Sequence, residues 1–204
     1  DVTKQQVLDI LEDINNQYLV TEYINMCDEL KAVYDGAVNT VRMIVFKKDG
    51  KNPQIGNAYV RFGSKKTGAV DNVGAGGMTA TIDVATGHFH DAKIVMNNSI
   101  EDCPIHPDTG VPIDGYLPHW EQVKQQVLDV TKSIKQLEFF GVDLAVTNDG
   151  IKFPEINRFP DYPAVEKYTK PTREYLLYKL AGKKHHYGYD VTPNRTLVHL
   201  PKRD

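Results

Sequence analysis

The 204 residues predict an α+β fold, mostly antiparallel sheet packed with helices. Short β-rich runs come in neighbouring pairs around turn-rich stretches, as in VNTVRMIVF and IGNAYVRF on either side of Lys47–Pro53. From Trp120 the apolar period changes to that of a helix. Apolar residues make up 41% of the chain, enough for one core at this length.

Thr3 with Gln6 forms a capping-box pattern, and Val7, Ile10, Leu11 and Ile14 follow on one helical face. Tyr18 to Ile24 is rich in β-formers and predicts a buried strand, and Met26 to Gly36 predicts a polar connection with a helical turn. Val38–Phe46 and Ile55–Phe62 predict a hairpin with a long loop. After the glycine-dense Val70–Gly77, Met78–Val84 and His88–Val95 predict a strand and its return around Ala85-Thr86-Gly87. Asn97–Pro118 holds four prolines and two glycines and predicts a long loop without regular elements. Trp120, Val123, Val127, Val130, Ile134 and Leu137 make one stripe, predicting a helix that ends near Gly141. Val142–Thr147 and Ile151–Ile156 predict a last hairpin, and a helix is expected over roughly 164–180 before a basic tail.

With 24 Lys+Arg against 27 Asp+Glu, the net charge of -3 argues against a general nucleic-acid binder. No apolar run of about 18 residues offers a membrane span. Cys27 and Cys103 lack metal-site spacing and a disulfide framework, and a cytoplasmic setting is expected. No secretory leader is visible, and the start at Asp1 predicts a processed chain or a piece of a longer one.

Chemistry concentrates first in the last hairpin, GVDLAVTNDGIKFPEINRFP. A three-residue loop with Gly150 in the left-handed region closes on residues 147 and 151. Asp143 then lies opposite Glu155, and Asn157 shares their face. Opposed carboxylates repel, so something positive belongs between them. A hard divalent cation suits three oxygen donors. The alternative is an acidic face turned to solvent.

Arg42 and Arg61 each interrupt an apolar strand, and a hairpin symmetric about Lys51-Asn52 would oppose them. Paired guanidiniums want an anion, and phosphate matches their fork. The alternative is that each reaches separately to the surface. Asp71 to Gly77 exposes backbone amides that can form an anion-binding concavity. His106 is a candidate acid/base or acceptor-binding residue, or else a loop histidine that fixes backbone.

Taken in order, these segments resemble the ATP-grasp family of carboxylate–amine/thiol ligases. VNTVR, VDNVGAGG and HPDTGVP, followed by Pro118 and Trp120, resemble its sugar-transfer-associated branch, which is related to the α-L-glutamate ligases and also labelled hexapeptide transferase family. The resemblance covers about residues 3 to 165. It implies ATP, two Mg²⁺ ions and small carboxylate and amine substrates, sugar-linked ones included, in bacterial surface-polysaccharide chemistry. The metal ligands implied are Asp143, Glu155 and Asn157. Arg42, Arg61 and Asn72 would act on the transferring phosphoryl group and acyl phosphate, Arg42 falling where the family contacts ATP phosphates and Asn72, Gly76 and Gly77 matching an N-x-x-x-G-G loop. Glu22 and Tyr23 would face adenine, and Asn39 with Thr40 stands where the family's ribose-binding acid lies. By the same resemblance residues 1–36 end a lid subdomain and hinge, residues 37–204 are the catalytic subdomain, and the nucleotide-clamping lysines lie upstream, so ligase activity is expected of a longer parent protein and little or none of these residues alone. A catalytically incomplete scaffold of the same shape is the alternative.

Overall fold

The computed structural model describes residues 3–13, 21–48, 50–96, 99–158, 160, 172–173 and 175–176. Three helices are assigned among them, α1 (Lys4–Asp13), α2 (Asp28–Val33) and α3 (Trp120–Lys132). The strands are β1 (Val41–Phe46), β2 (Gln54–Phe62), β3 (Met78–Ile82), β4 (His88–Met96), β5 (Ser99–Asp102), β6 (Gly115–Tyr116), β7 (Phe139–Thr147) and β8 (Gly150–Asn157). They form one eight-stranded sheet in the order β5-β4-β3-β2-β1-β7-β8, with β6 beside β4. Every ladder is antiparallel, so the predicted α+β class holds.

Alternation along the strands divides the sheet into two faces. Val41, Met43, Val45, Val60, Phe62, Met78, Ala80, Phe89, Val142 and Leu144 face a core. Leu30 and Val33 of α2 and Trp120, Val123 and Val127 of α3 close it. Trp120 is seated by the β3–β4 turn, where its Nε1 donates to Val84 O at 2.9 Å. A Cβ on Gly87 would stand 2.6 Å from Trp120 Cγ, and Gly87 has φ +78°. Both facts require glycine at that turn.

Several elements differ from the sequence expectation. The capping box is present, with Thr3 N donating to Gln6 Oε1 at 2.8 Å and Gln6 N to Thr3 Oγ1 at 3.3 Å. Residues 21–24, by contrast, are not a buried strand: they have no regular structure and Tyr23 is 81% exposed. Past the segment Cys27 N donates to Val146 O of β7, and β-propensity without a flanking strand makes no ladder over residues 21–24. Residues 18–20 lie outside the described residues.

The stretch 97–118 is not free of strands, because β5 and β6 lie in it. They are short edge pieces that the prolines flank rather than interrupt. The helix from Trp120 stops at Lys132, well before Gly141, which belongs to β7. Thr131 Oγ1 returns to Val127 O at 2.7 Å and Ser133 Oγ to Val130 O, side-chain bonds that compete with the helical ladder. Ile134 and Leu137 still pack on the core without being helical. Of the expected last helix, Thr172, Arg173, Tyr175 and Leu176 are helical, while the rest of it and the basic tail lie outside the described residues.

Lys47 follows β1 and is fully buried. Its ammonium donates to Ile134 O and stands over the Phe140 ring, 5.6 Å from the centroid. Among the described residues no carboxylate pairs with it, and burial pushes its pKa below the ordinary 10.5. Between the lowered value and 10.5 the unfolded chain binds more protons, so stability rises with pH there. Lys47→Met is therefore expected to be the more stable protein at pH 7, by a margin that shrinks toward pH 10. Urea midpoints at both pH values check it, and a variant less stable at pH 7 refutes it. Among the described residues no helix is long and apolar enough to cross a membrane.

Candidate functional site

The face of the sheet opposite α3 carries a row of polar side chains in direct cross-strand register. Glu155 pairs with Asp143, Asp143 with Arg42, Arg42 with Tyr59, Tyr59 with Thr81 and Thr81 with His90. Cross-strand partners share a face, so the registers alone carry this row from β8 to β4.

The predicted pairing of Asp143 with Glu155 is present, reached by another path. The β7–β8 turn is two residues long, with Thr147 opposite Gly150, and a bulge between Asp143 and Ala145 adds one residue to β8. That bulge contains Pro154, which has no N–H to lose from a ladder. The arginine hairpin differs from the expectation. Arg42 faces Tyr59, and Arg61 N donates to Thr40 O, so the two arginines are diagonal neighbours, not opposed.

Both arginines meet on one carboxylate. Arg42 Nε donates to Asp143 Oδ1 at 2.5 Å and its Nη2 to Asp143 Oδ2 at 2.6 Å. Arg61 Nη2 reaches Asp143 Oδ2 at 3.0 Å and Thr40 Oγ1 at 2.6 Å. Thr40 in turn gives its N–H and hydroxyl to Asp71 Oδ2, at 2.8 and 2.5 Å, and Arg61 Nε stands 3.4 Å from that oxygen. Bonding to Asp143 raises the Arg42 pKa further, and burial raises that of Tyr59 despite the cation beside it. Asn157, with its amide oriented to satisfy both neighbours, donates to Glu155 Oε1 at 2.8 Å and accepts from Arg42 Nη2 at 3.1 Å.

Guanidiniums therefore neutralise Asp143, and among the described residues Arg42 is linked to Glu155 only through the Asn157 amide. Asp143 is 2% exposed, whereas Glu155 lies at the surface. Arg42 and Arg61 stand against Asp71, Asp143 and Glu155, leaving one excess negative charge on the exposed side. Among the described residues no cation pairs with Glu155. Asp143, Glu155 and Asn157 carry oxygen donors of the kind a hard dication takes, but here both Asp143 oxygens accept from guanidiniums and the Asn157 oxygen accepts from Arg42, and among the described residues no three acidic, histidine or cysteine groups converge to hold a metal.

The other predicted residues are spread around this cluster. Asn72 caps a 3₁₀ turn over Val73–Ala75, its Oδ1 accepting from Gly74 N at 3.0 Å. The amides of Ala75, Gly76 and Gly77 bond to the loop's own carbonyls. Gly76 has φ +107°, and a Cβ on Gly77 would come within 2.9 Å of Phe62 O. Asn39 is fully buried, with Nδ2 donating to Tyr34 O at 2.6 Å and Oδ1 accepting from Gly63 N at 3.1 Å. His106 is fully buried too and stacks on Tyr34 at 4.6 Å. Its Nδ1 accepts from Asp108 N, which leaves Nε2 to donate to Gly63 O at 2.9 Å. Gly63 therefore ties Asn39 to His106, and both side chains fasten backbone. Glu22 and Tyr23 line a cleft of about 500 Å³ against the β7–β8 turn, with Gln126 and Lys152.

The sequence assigned no side-chain role to Tyr59 or Asp71, and Thr40, placed with Asn39 at the ribose position, instead bridges Arg61 and Asp71. The signal for Asp71 was an acid set inside the apolar-flanked VDNV. Residues 6–164 match the model of the sugar-transfer associated ATP-grasp family. No curated protein and no solved structure matches the chain. ATP-grasp membership carries a general ATP-dependent ligase-like fold, with use of ATP and Mg²⁺. The matched residues are well over half of the 204 and include every member of the Arg42–Asp143 cluster, so the chain belongs to the sugar-transfer associated ATP-grasp family.

Proposed function

We propose that the protein is an ATP- and Mg²⁺-dependent carboxylate–amine ligase acting in surface-polysaccharide or glutamate-ligase-like chemistry. The observation that carries this reading is the convergence of Arg42, Arg61, Asp143, Glu155 and Asn157 on one sheet face. In the reaction the γ-phosphoryl group of ATP passes to a carboxylate, giving ADP and an acyl phosphate. The amine then displaces phosphate and forms the amide. Such transfer is catalysed mainly by positioning and charge neutralisation. Asp143, Glu155 and Asn157 would hold Mg²⁺, which when bound would neutralise charge on the phosphates. Arg42 and Arg61 would bind the transferring group, and Asn72 with the Gly76-Gly77 loop would bound the acyl phosphate. Glu22 and Tyr23 would offer adenine contacts from the cleft beside the β7–β8 turn, with residues 1–36 as the end of a lid and hinge and residues 37–204 as the catalytic part.

A second reading, a scaffold of ATP-grasp shape without turnover, is favoured by one fact. The guanidiniums are bonded to Asp143 and the loop amides to their own carbonyls. Calorimetric titration of Mg·ATP into the intact protein and its Glu155→Gln variant separates the two. Glu155 is exposed, so the variant should unfold within about 0.5 kcal/mol of wild type. The ligase reading expects wild-type binding that weakens at least tenfold in the variant. Absence of wild-type binding, or equal binding by both, decides for the scaffold.

A further inference from the structure

Arg61 has an anchor that is independent of Asp143. Val41 pairs with Val60, and Arg61 N donates to Thr40 O at 2.8 Å, so Thr40 lies directly across from Arg61 on the polar face. A hydroxyl has one hydrogen to give and lone pairs that receive two. A guanidinium cannot accept, so the Thr40 hydrogen goes to Asp71 Oδ2 at 2.5 Å. The lone pairs are thereby turned to Arg61, with Nε at 3.1 Å and Nη2 at 2.6 Å. Thr40 and Asp71 are each 8% exposed, so water does not readily compete for these bonds. Asp71 Oδ2 also accepts from Thr40 N at 2.8 Å. That bond fastens the start of the glycine loop to the head of β1, because Asn72 O, one residue on, accepts from Ala75 N and Gly77 N.

Arg42 is held differently. Its Nε and Nη2 go to the two oxygens of Asp143, whereas Asp143 holds Arg61 through Nη2 alone. Were Asp143 to turn to another cation, Arg42 would lose both of those bonds, while Arg61 would lose one and keep its two to Thr40. Arg61 Nη2 spends its two hydrogens on Thr40 and Asp143. Its Nη1 has no partner among the described residues and is the arm left for a ligand.

We infer that Thr40 and Asp71 are positioning residues that hold Arg61 in place, with Nη1 ready for an anion, while Arg42 exchanges partners. That the anion is the γ-phosphoryl group of ATP rests on the proposed function, whereas the clamp itself does not.

Hydrogen exchange at the arginine side chains tests the clamp in the intact protein without nucleotide. The Arg61 Nε–H resonance, assigned by its loss in Arg61→Lys, is expected to be protected. Thr40→Val keeps the shape and removes the hydroxyl. It should speed that exchange by about tenfold or more, the scale of one lost hydrogen bond to a charged group. Thr40→Ser restores the hydroxyl and should restore protection. The Arg42 Nε–H, bonded to Asp143, should exchange as in wild type in both variants. Asp71→Asn keeps an acceptor for Thr40 N–H and should also speed exchange at Arg61, which serves if Thr40→Val does not fold.

Calorimetric titration with Mg·ATP and with Mg·ADP reads what the clamp is for. Thr40→Val should weaken Mg·ATP by about tenfold and leave Mg·ADP within about twofold, because only ATP carries the γ-phosphoryl group. Thr40→Ser should bind both as wild type does. An unprotected Arg61 Nε–H in wild type, unchanged exchange in Thr40→Val and Asp71→Asn, or equal acceleration at Arg42 overturns the inference. So does an equal loss of Mg·ATP and Mg·ADP binding, the mark of a merely structural role. If the exchange results hold and the wild type binds no Mg·ATP, the ligase reading falls and the clamp stands.

Discussion

Asp143→Ala is expected to destabilise the protein by about 3–5 kcal/mol, the cost of leaving a buried charge without its partner. The Asp143 side chain is 3% exposed, that of Arg42 10% and that of Arg61 18%, so water cannot readily replace the missing carboxylate. Neither guanidinium can escape by losing its proton. Removing Asp143 leaves two like charges as diagonal neighbours on β1 and β2, with Asp71 the remaining paired acid, 3.4 Å from Arg61. Arg42 loses both arms of its bidentate pair. Asp143→Asn should cost less, because its amide oxygen still accepts one of those bonds. Arg42→Met combined with Asp143→Leu should recover most of the loss, since apolar groups of similar volume often replace a buried pair without penalty. Urea unfolding of the single and double variants tests the account. A loss below about 1 kcal/mol in Asp143→Ala, at the level of an exposed ion pair, would refute it.

How much of this cluster could be read from the chain depends on how far apart in sequence its members lie. The pairing of Asp143 with Glu155 is local, and alternation along a short hairpin brought it out. Two departures cancelled there: the turn is one residue shorter than expected, and the bulge at Pro154 restores the register. Pro154 was the visible signal, since proline inside a strand is confined to edges and bulges. The relation of Arg42 to Arg61 was not legible. Register across a loop as long as 47–53 is set by core packing and not by turn chemistry, and the register shift between Ile44 and Val45 moves the pairs again. Least legible was the bond between Arg42 and Asp143. It depends on β1 lying beside β7, residues 101 apart in sequence, and no local pattern encodes that neighbour. His106 shows the reverse case. Its motif attracted a chemical role, yet stacking on Tyr34 and a bond to Gly63 O place it inside as a fastener of loops.

Arg42→Lys is expected to lower kcat for ATP-dependent turnover by about 10³-fold, the lower range for an arginine that stabilises phosphoryl transfer. Lysine keeps the charge but loses the planar fork, and Arg42 uses that fork on Asp143 when nothing else is bound. The same two N–H groups cannot serve Asp143 and a phosphate at once. If the γ-phosphoryl group takes that same Nε–Nη2 edge of Arg42, the pair must open, and a bound Mg²⁺ would supply the charge that Asp143 then lacks. On that geometry, binding of Mg·ATP and release of Arg42 would be one coupled exchange. A double-mutant cycle on Arg42 and Asp143, read by unfolding, should show strong coupling in the free protein. The coupling should shrink when Mg·ATP is present. If kcat stays within tenfold of wild type in Arg42→Lys, and the coupling is the same with and without nucleotide, then Arg42 is a structural partner of Asp143 and the phosphate is held elsewhere on the sheet.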